Sequence, residues 1–259
     1  ARSRRPDRTS DARPVPRMTA ELVAVVLVTG FAAATQSITG FGYALIVVPG
    51  LTLLFGPKVA VVAMTSVGVP LVAWNAVRWR ADIQRREAIT VTAAALLGMP
   101  VGIAVLTRAD DQVLTAIIGV TILVLTAWLW RGPQLPTGRA TELTAGFASG
   151  ALAASVGTNG PPLVIAFQAT GMAPEPFRAT LQVCFFVEGA IALLLFWSQG
   201  LFVHDVGPIV LVGLPAAACG ALLGDRFAAR VHQGPFRSAV LALLALSGVL
   251  ALITAVRGG

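Results

Sequence analysis

The chain is poor in charge. Aspartate, glutamate, lysine and arginine make up 12% of its 259 residues, about half the share of an ordinary soluble domain. It has two histidines, two cysteines and one tyrosine. His204 and His232 stand at the ends of apolar segments, far in sequence from Cys184 and Cys219, so the ligands of a metal site are missing. Both cysteines lie in apolar runs, where a thiol behaves as a small hydrophobe. No histidine or lysine lies inside an apolar segment, which leaves an intramembrane hydrolase built on Ser37 or Ser155 without a base. No G-x-x-x-x-G-K-[ST] loop is present to drive transport with ATP. Large soluble domains and long loops, which a non-transporting scaffold would need, are also lacking. The sequence calls for no cofactor.

What is abundant is apolar. Hydrophobic residues reach 56% and the mean hydropathy is +0.80. The apolar runs are continuous, without the alternation of a membrane β-barrel, and predict an all-α polytopic membrane protein whose main partner is the lipid bilayer. The net charge of +7 is concentrated at one end: Arg2, Arg4, Arg5, Arg8, Arg13 and Arg17 against Asp7 and Asp11 give +4. The remaining +3 gives no reason to expect a nucleic-acid partner. Residues 1–18 read as a basic, disordered tail near lipid headgroups, or as an upstream extension, because a membrane segment opens at Met18.

Charges mark the segments. Uncharged stretches cover 59–77, 88–107, 112–130, 206–224 and 238–256, and 179–198 carries only Glu188. About 20 residues at 1.5 Å each cross a hydrocarbon core of roughly 30 Å. Four further apolar pieces, 22–36, 41–55, 143–155 and 161–173, are shorter and can form re-entrant hairpins. They come in two pairs, each meeting at a glycine-rich break: Ser37 to Gly42 (SITGFG) and Ser155 to Pro162 (SVGTNGPP). Ser37 and Ser155 are 118 residues apart, as are Gly42 and Gly160. Glu21-Leu22 aligns with Glu142-Leu143, Thr65 with Thr180, and Gly98-Met99-Pro100 with Gly213-Leu214-Pro215. The expected organisation is therefore a tail (1–18), a first transmembrane repeat (19–131), a linker (132–139) and a second repeat (140–259), about ten helical segments in all. Five segments per repeat turn the second copy upside down. With Arg78, Arg80, Arg85 and Arg86 in the cytoplasm, Arg131, Arg139, Arg178, Arg226, Arg230 and Arg237 fall on the same side. Lys58, Arg108 and Arg257 fall outside with both termini. Ten inside against three outside fits the charge bias of a cytoplasmic membrane protein.

A break inside a hydrophobic segment frees backbone groups that lipid cannot satisfy. Two in equivalent halves mark a ligand site where the halves meet. Thr158 or Asn159 can cap a helix opening Gly160-Pro161-Pro162, since proline suits the first turn. Thr39, Gly40 and Gly42 can do the same for the helix over 41–55. With inverted hairpins, two helix N-termini then converge near the midplane, an arrangement that holds a small anion with free N–H groups and needs no basic side chain. Close helix packing is the competing use of such glycines and serines. Glu188 is the one ionisable residue deep in a span; it suits proton coupling or a structural hydrogen bond to a neighbouring helix. Asn75 and Gln182 can line a path or join helices. Thr65, Ser66 and Thr180 can ligate an anion or bond their own i−4 carbonyls, and Gln36 stands beside Ser37 as a further candidate. Trp74, Trp79, Trp128, Trp130 and Trp197 lie near segment ends, as interfacial aromatics do.

Gly40-Phe41-Gly42 with Pro49, Gly150 through Gly157 with Gly160 and Pro161, the stretch Pro57…Ala63–Ser66 and the Gly98/Pro100 pair resemble one known family over nearly the whole chain after Met18: the TauE/SafE sulfite exporter family of membrane anion transporters. The second break departs from it, with Thr158-Asn159-Gly160-Pro161-Pro162 where a plainer Gly-x-Gly-Gly-Pro is expected. The resemblance implies a secondary transporter for sulfur-containing anions such as sulfite, sulfoacetate or other organosulfonates, usually working as an exporter. The residues themselves reach only a small anion. They leave open an anion channel, or a carrier of small organic anions without sulfur.

Overall fold

The computed structural model describes residues 15–131, 136, 138–227 and 233–257, and all regular structure among them is helical. Ten α-helices follow one another: α1 (Val15–Thr39), α2 (Tyr43–Phe55), α3 (Pro57–Arg78), α4 (Arg85–Arg108), α5 (Asp111–Arg131), α6 (Arg139–Ser155), α7 (Gly160–Ala169), α8 (Pro174–Ser198), α9 (Val206–Phe227) and α10 (Gln233–Arg257), with one 3₁₀ turn, Arg80–Asp82, between α3 and α4. Proline opens α3 and α8 and follows Gly160 at the start of α7, where its missing N–H costs nothing.

Among the described residues, six helices are long and apolar enough to cross a membrane: Ala20–Thr39 within α1, then α3, α4, Asp111–Trp128 within α5, α8 and α9. The first of these corrects an expectation. The segment 22–36 was expected to be short, but α1 continues through Gln36, Ser37, Ile38 and Thr39 and measures 25 residues, about 37 Å. The threonines did not end it, because the helix satisfies their hydroxyls: Thr35 and Thr39 donate to the carbonyls of Phe31 and Thr35, at 3.0 and 2.8 Å. The helix ends only where Gly40 and Gly42 take left-handed φ values of 85° and 107°, which a β-carbon would disfavour. α2, α6 and α7 are short, at 13, 17 and 10 residues. Nothing described bears on the expected tail before Val15 or on most of the 132–139 linker.

Small residues set the packing. Gly220 and Gly224 of α9 lie against the backbone of Gly30 and Ala34 of α1, so these two helices run in the same direction. Gly146 and Gly150 of α6 lie in the same way against Val91 and Ala95 of α4, another parallel pair. A β-carbon on Gly220 would come within 2.0 Å of the Gly30 carbonyl oxygen, and one on Gly150 within 1.9 Å of the Ala95 carbonyl oxygen. Backbones that close suit a bilayer, where association depends on van der Waals contact because lipid tails are as apolar as the side chains. α5 and α10 run antiparallel, with Gly119 against Gly248 and the Gln112 amide donating to the Ala255 carbonyl at 2.8 Å. α3 and α8 also run antiparallel, joined from Asn75–Gln182 at one end to Val69–Gly189 further along.

The two short helices that follow the breaks lie deepest. Val47, Val48 and Leu51 of α2, and Leu163, Val164 and Phe167 of α7, are within 1% of complete burial. Large apolar side chains such as Leu97, Leu211 and Val256 face outward. Trp74, Trp130 and Trp197 are also strongly exposed at helix ends, as expected of interfacial aromatics.

Candidate functional site

Helix α8 touches both breaks. In its third turn the Gln182 amide donates to the Gly40 carbonyl at 2.9 Å, and the Asn75 amide of α3 approaches the Gln182 side-chain oxygen at 3.4 Å. One turn earlier the Arg178 guanidinium donates to the Ile38 carbonyl at 3.0 Å, and its methylenes pack over Gly40. These contacts satisfy carbonyls that the end of α1 leaves free, and a cation there complements the helix dipole. Six residues beyond Gln182, Glu188 meets the second break. One of its oxygens, Oε2, accepts from the Ser149 hydroxyl at 2.7 Å and from the Asn159 amide at 2.8 Å. Ser149 Oγ also lies 3.1 Å from the Asn159 carbonyl. Six residues are about 9 Å of helix, so the breaks are offset in depth. They still approach each other, because the Cβ position of Gly160 lies 3.9 Å from the Phe41 β-carbon and 3.5 Å from the Phe185 ring.

The second break differs from its expected form in one respect. Asn159 stands at the N-cap of α7 but its side chain does not cap the helix, and neither does that of Thr158. The Asn159 amide is turned to Glu188 instead, and because Pro161 and Pro162 have no N–H, Gly160 has the one free N–H in the first turn of α7. Gly157, with φ at 70°, makes the turn before it. Glu188 is fully buried, its Oε1 has no hydrogen-bond partner, and the same holds for Thr158 Oγ1.

A narrow cleft of about 60 Å³ lies between the breaks. Gln36 and the first two residues of α2, Tyr43 and Ala44, line one side; Gly157 and Phe185 line the other, with Thr65 and Gly68 of α3 between them. Two residues that line this cleft carry buried polar atoms without a hydrogen-bond partner, Gln36 at Nε2 and Tyr43 at its hydroxyl; the polar side chain beside that hydroxyl is Thr29 of α1, which does not line the cleft.

The other sequence candidates are placed as follows. Thr65 and Ser66 donate to the carbonyls of Val61 and Val62, at 2.7 and 2.8 Å, and Ser155 donates to Ala151 at 2.6 Å. Their protons are spent on their own helices, which leaves oxygens that can only accept. Thr39 ties the Thr35 and Phe41 carbonyls across the first break. Ser37 packs against Gly224 of α9, and Gly42 is the residue before α2. Thr180 accepts from the backbone N–H of Gln84 at 3.0 Å, which anchors the turn before α4. Three side chains escaped the sequence reading: Ser149, Tyr43 and Arg178. Ser149 precedes a glycine in an apolar helix and Tyr43 follows the first break without a polar neighbour, so neither carried a signal, and Arg178 counted only as a cytoplasmic charge.

The sulfite exporter TauE/SafE family model matches residues 24–251. No curated protein matches the chain. No solved structure matches it either.

Proposed function

Because this chain belongs to the TauE/SafE sulfite exporter family, we propose that it carries small sulfur-containing anions, such as sulfite, sulfoacetate or other organosulfonates, across the cytoplasmic membrane, with export as its usual direction. The substrate is held in the membrane interior between the two breaks. The observation that carries this reading is the cleft bounded by Gln36 and Tyr43 on one side and by Gly157 on the other, with the start of α2 open to it. Helix N–H groups and neutral donors supply an anion with partners without placing a second buried charge there.

The halves act as inverted repeats. The parallel pairing of α1 with α9 supports this, because α6 with α4 is the pair obtained when the halves are exchanged. The antiparallel pairs α3–α8 and α5–α10 exchange into themselves. Rocking one half against the other would open the cleft to each face in turn. Both termini lie outside. Glu188 couples protons to the cycle, because its contacts with Ser149 and Asn159 make the shape of the second break depend on the protonation of one carboxyl.

Purified protein in proteoliposomes, tested with sulfite, sulfoacetate, other sulfonates, sulfate and small carboxylates, checks the reading. Flux of sulfite or a sulfonate, altered by an imposed proton gradient, is expected. Flux of carboxylates alone would refute it.

A further inference from the structure

Buried polar atoms are nearly always hydrogen-bonded, so the exceptions call for a cause. Among the described residues, five buried side-chain polar atoms lack a partner. Two of the five, Gln36 Nε2 and the Tyr43 hydroxyl, belong to residues that line the cleft between the breaks. Gln36 is 5% exposed and Tyr43 3%. The Gln36 amide can only donate and the Tyr43 hydroxyl can donate as well as accept, so one acceptor would satisfy both. The main-chain N–H groups of Tyr43 and Ala44 open the same helix and are donors too. No lysine, arginine or histidine lines the cleft.

We propose that Gln36 and Tyr43, the only tyrosine of the chain, are a donor pair that binds the oxygens of a sulfo or sulfite group in this cleft, and that Tyr43 thereby sets the preference for an SO₃ head over a carboxylate. This rests on the transport reading above and adds the ligating residues to it. An SO₃ group has three oxygens to share among two side chains and the start of α2, whereas a carboxylate has two. The cleft, at about 60 Å³, has room for about four to six water-sized atoms, which fits the four non-hydrogen atoms of sulfite or the head of a sulfonate. Phe185 and Gly157 give it apolar walls. A site built to hydrogen-bond its ligand discriminates strongly against one that leaves its donors unpaired.

The test is initial-rate flux in proteoliposomes of wild type, Tyr43→Phe and Gln36→Leu, with sulfite as substrate and acetate as competitor. Tyr43→Phe removes one oxygen atom and leaves the ring packed against Gly68. Losing a hydrogen bond to a charged ligand should raise the KM for sulfite about tenfold or more, with smaller effects on the maximal rate and on inhibition by acetate. Gln36→Leu should raise the KM similarly, and sulfite should protect that variant against thermal unfolding only at about tenfold higher concentration. Unchanged KM and unchanged sulfite-over-acetate preference in both folded variants would overturn the assignment. A wild-type protein that moves no sulfur oxyanion at all would instead overturn the transport reading, so the two failures are distinguishable.

Discussion

Asn159 and Glu188 show how much of the site depends on two side chains. An asparagine at an N-cap position ordinarily bonds its own helix, yet here the amide reaches 2.8 Å to a fully buried carboxylate. Replacing Asn159 with leucine leaves that oxygen with Ser149 alone and puts an apolar side chain at the start of α7. Flux should fall at least tenfold, the scale of one hydrogen bond to a charged group, while the protein still elutes as a single folded species; transport and size-exclusion profiles read both. Glu188→Gln keeps the shape and mimics the protonated acid. Its flux should be flat with pH, fixed at the rate the wild-type protein shows on the acid side, and a pH profile identical to wild type would leave Glu188 structural. The importance of Asn159 and Glu188 was legible in the sequence, because an asparagine in a Gly-Pro-Pro break and a lone carboxylate in a span are both costly. That they bond each other was not legible, since 29 residues separate them and no pattern fixes the rotation of α8 relative to α6. Ser149 and Tyr43 gave no signal at all, because small and aromatic residues are common in membrane helices for packing alone.

At the level of helices, glycine against backbone is the organising contact. Gly150→Val would drive a side chain into the Ala95 carbonyl and part α6 from α4, so the variant should lose thermal stability in detergent by several degrees or fail to fold, in keeping with the 1–3 kcal/mol or more that overpacking costs. Gly207→Ala, with open space around its β-carbon position, should unfold at the wild-type temperature. Equal behaviour of the two variants in a melting assay would argue against this account of packing. The segments themselves followed closely from charge and hydropathy, since lipid penalises both charge and broken backbone. Segment ends were less legible. α1 runs past Gln36 because helical i−4 bonds absorb its threonine hydroxyls, as the Thr39–Thr35 contact illustrates. The α1–α9 and α4–α6 partnerships were not legible, because a glycine marks a close contact without naming its partner.

Across the whole molecule, α1 runs parallel to α9 and α4 to α6, the pairing that the proposed inverted repeats require, and α8 joins the two breaks at its Gln182 and Glu188 contacts. Arg78 at the end of α3 and Asp225 near the end of α9 form an ion pair at 2.7 Å, so the two charges share one membrane face. If that face is the cytoplasmic one, as the proposed orientation has it, a reporter active only outside the cell, fused after Gly259, should be active, and one active only in the cytoplasm should be silent; the reverse pair of results would invert the topology. The central claim is that the junction of the two breaks is an anion site, and sulfite flux into proteoliposomes, compared between wild type and Asn159→Leu at equal reconstituted amounts, tests it most directly. The account predicts saturable sulfite flux in the wild type and at least a tenfold loss in the variant. Equal flux in the two would contradict it.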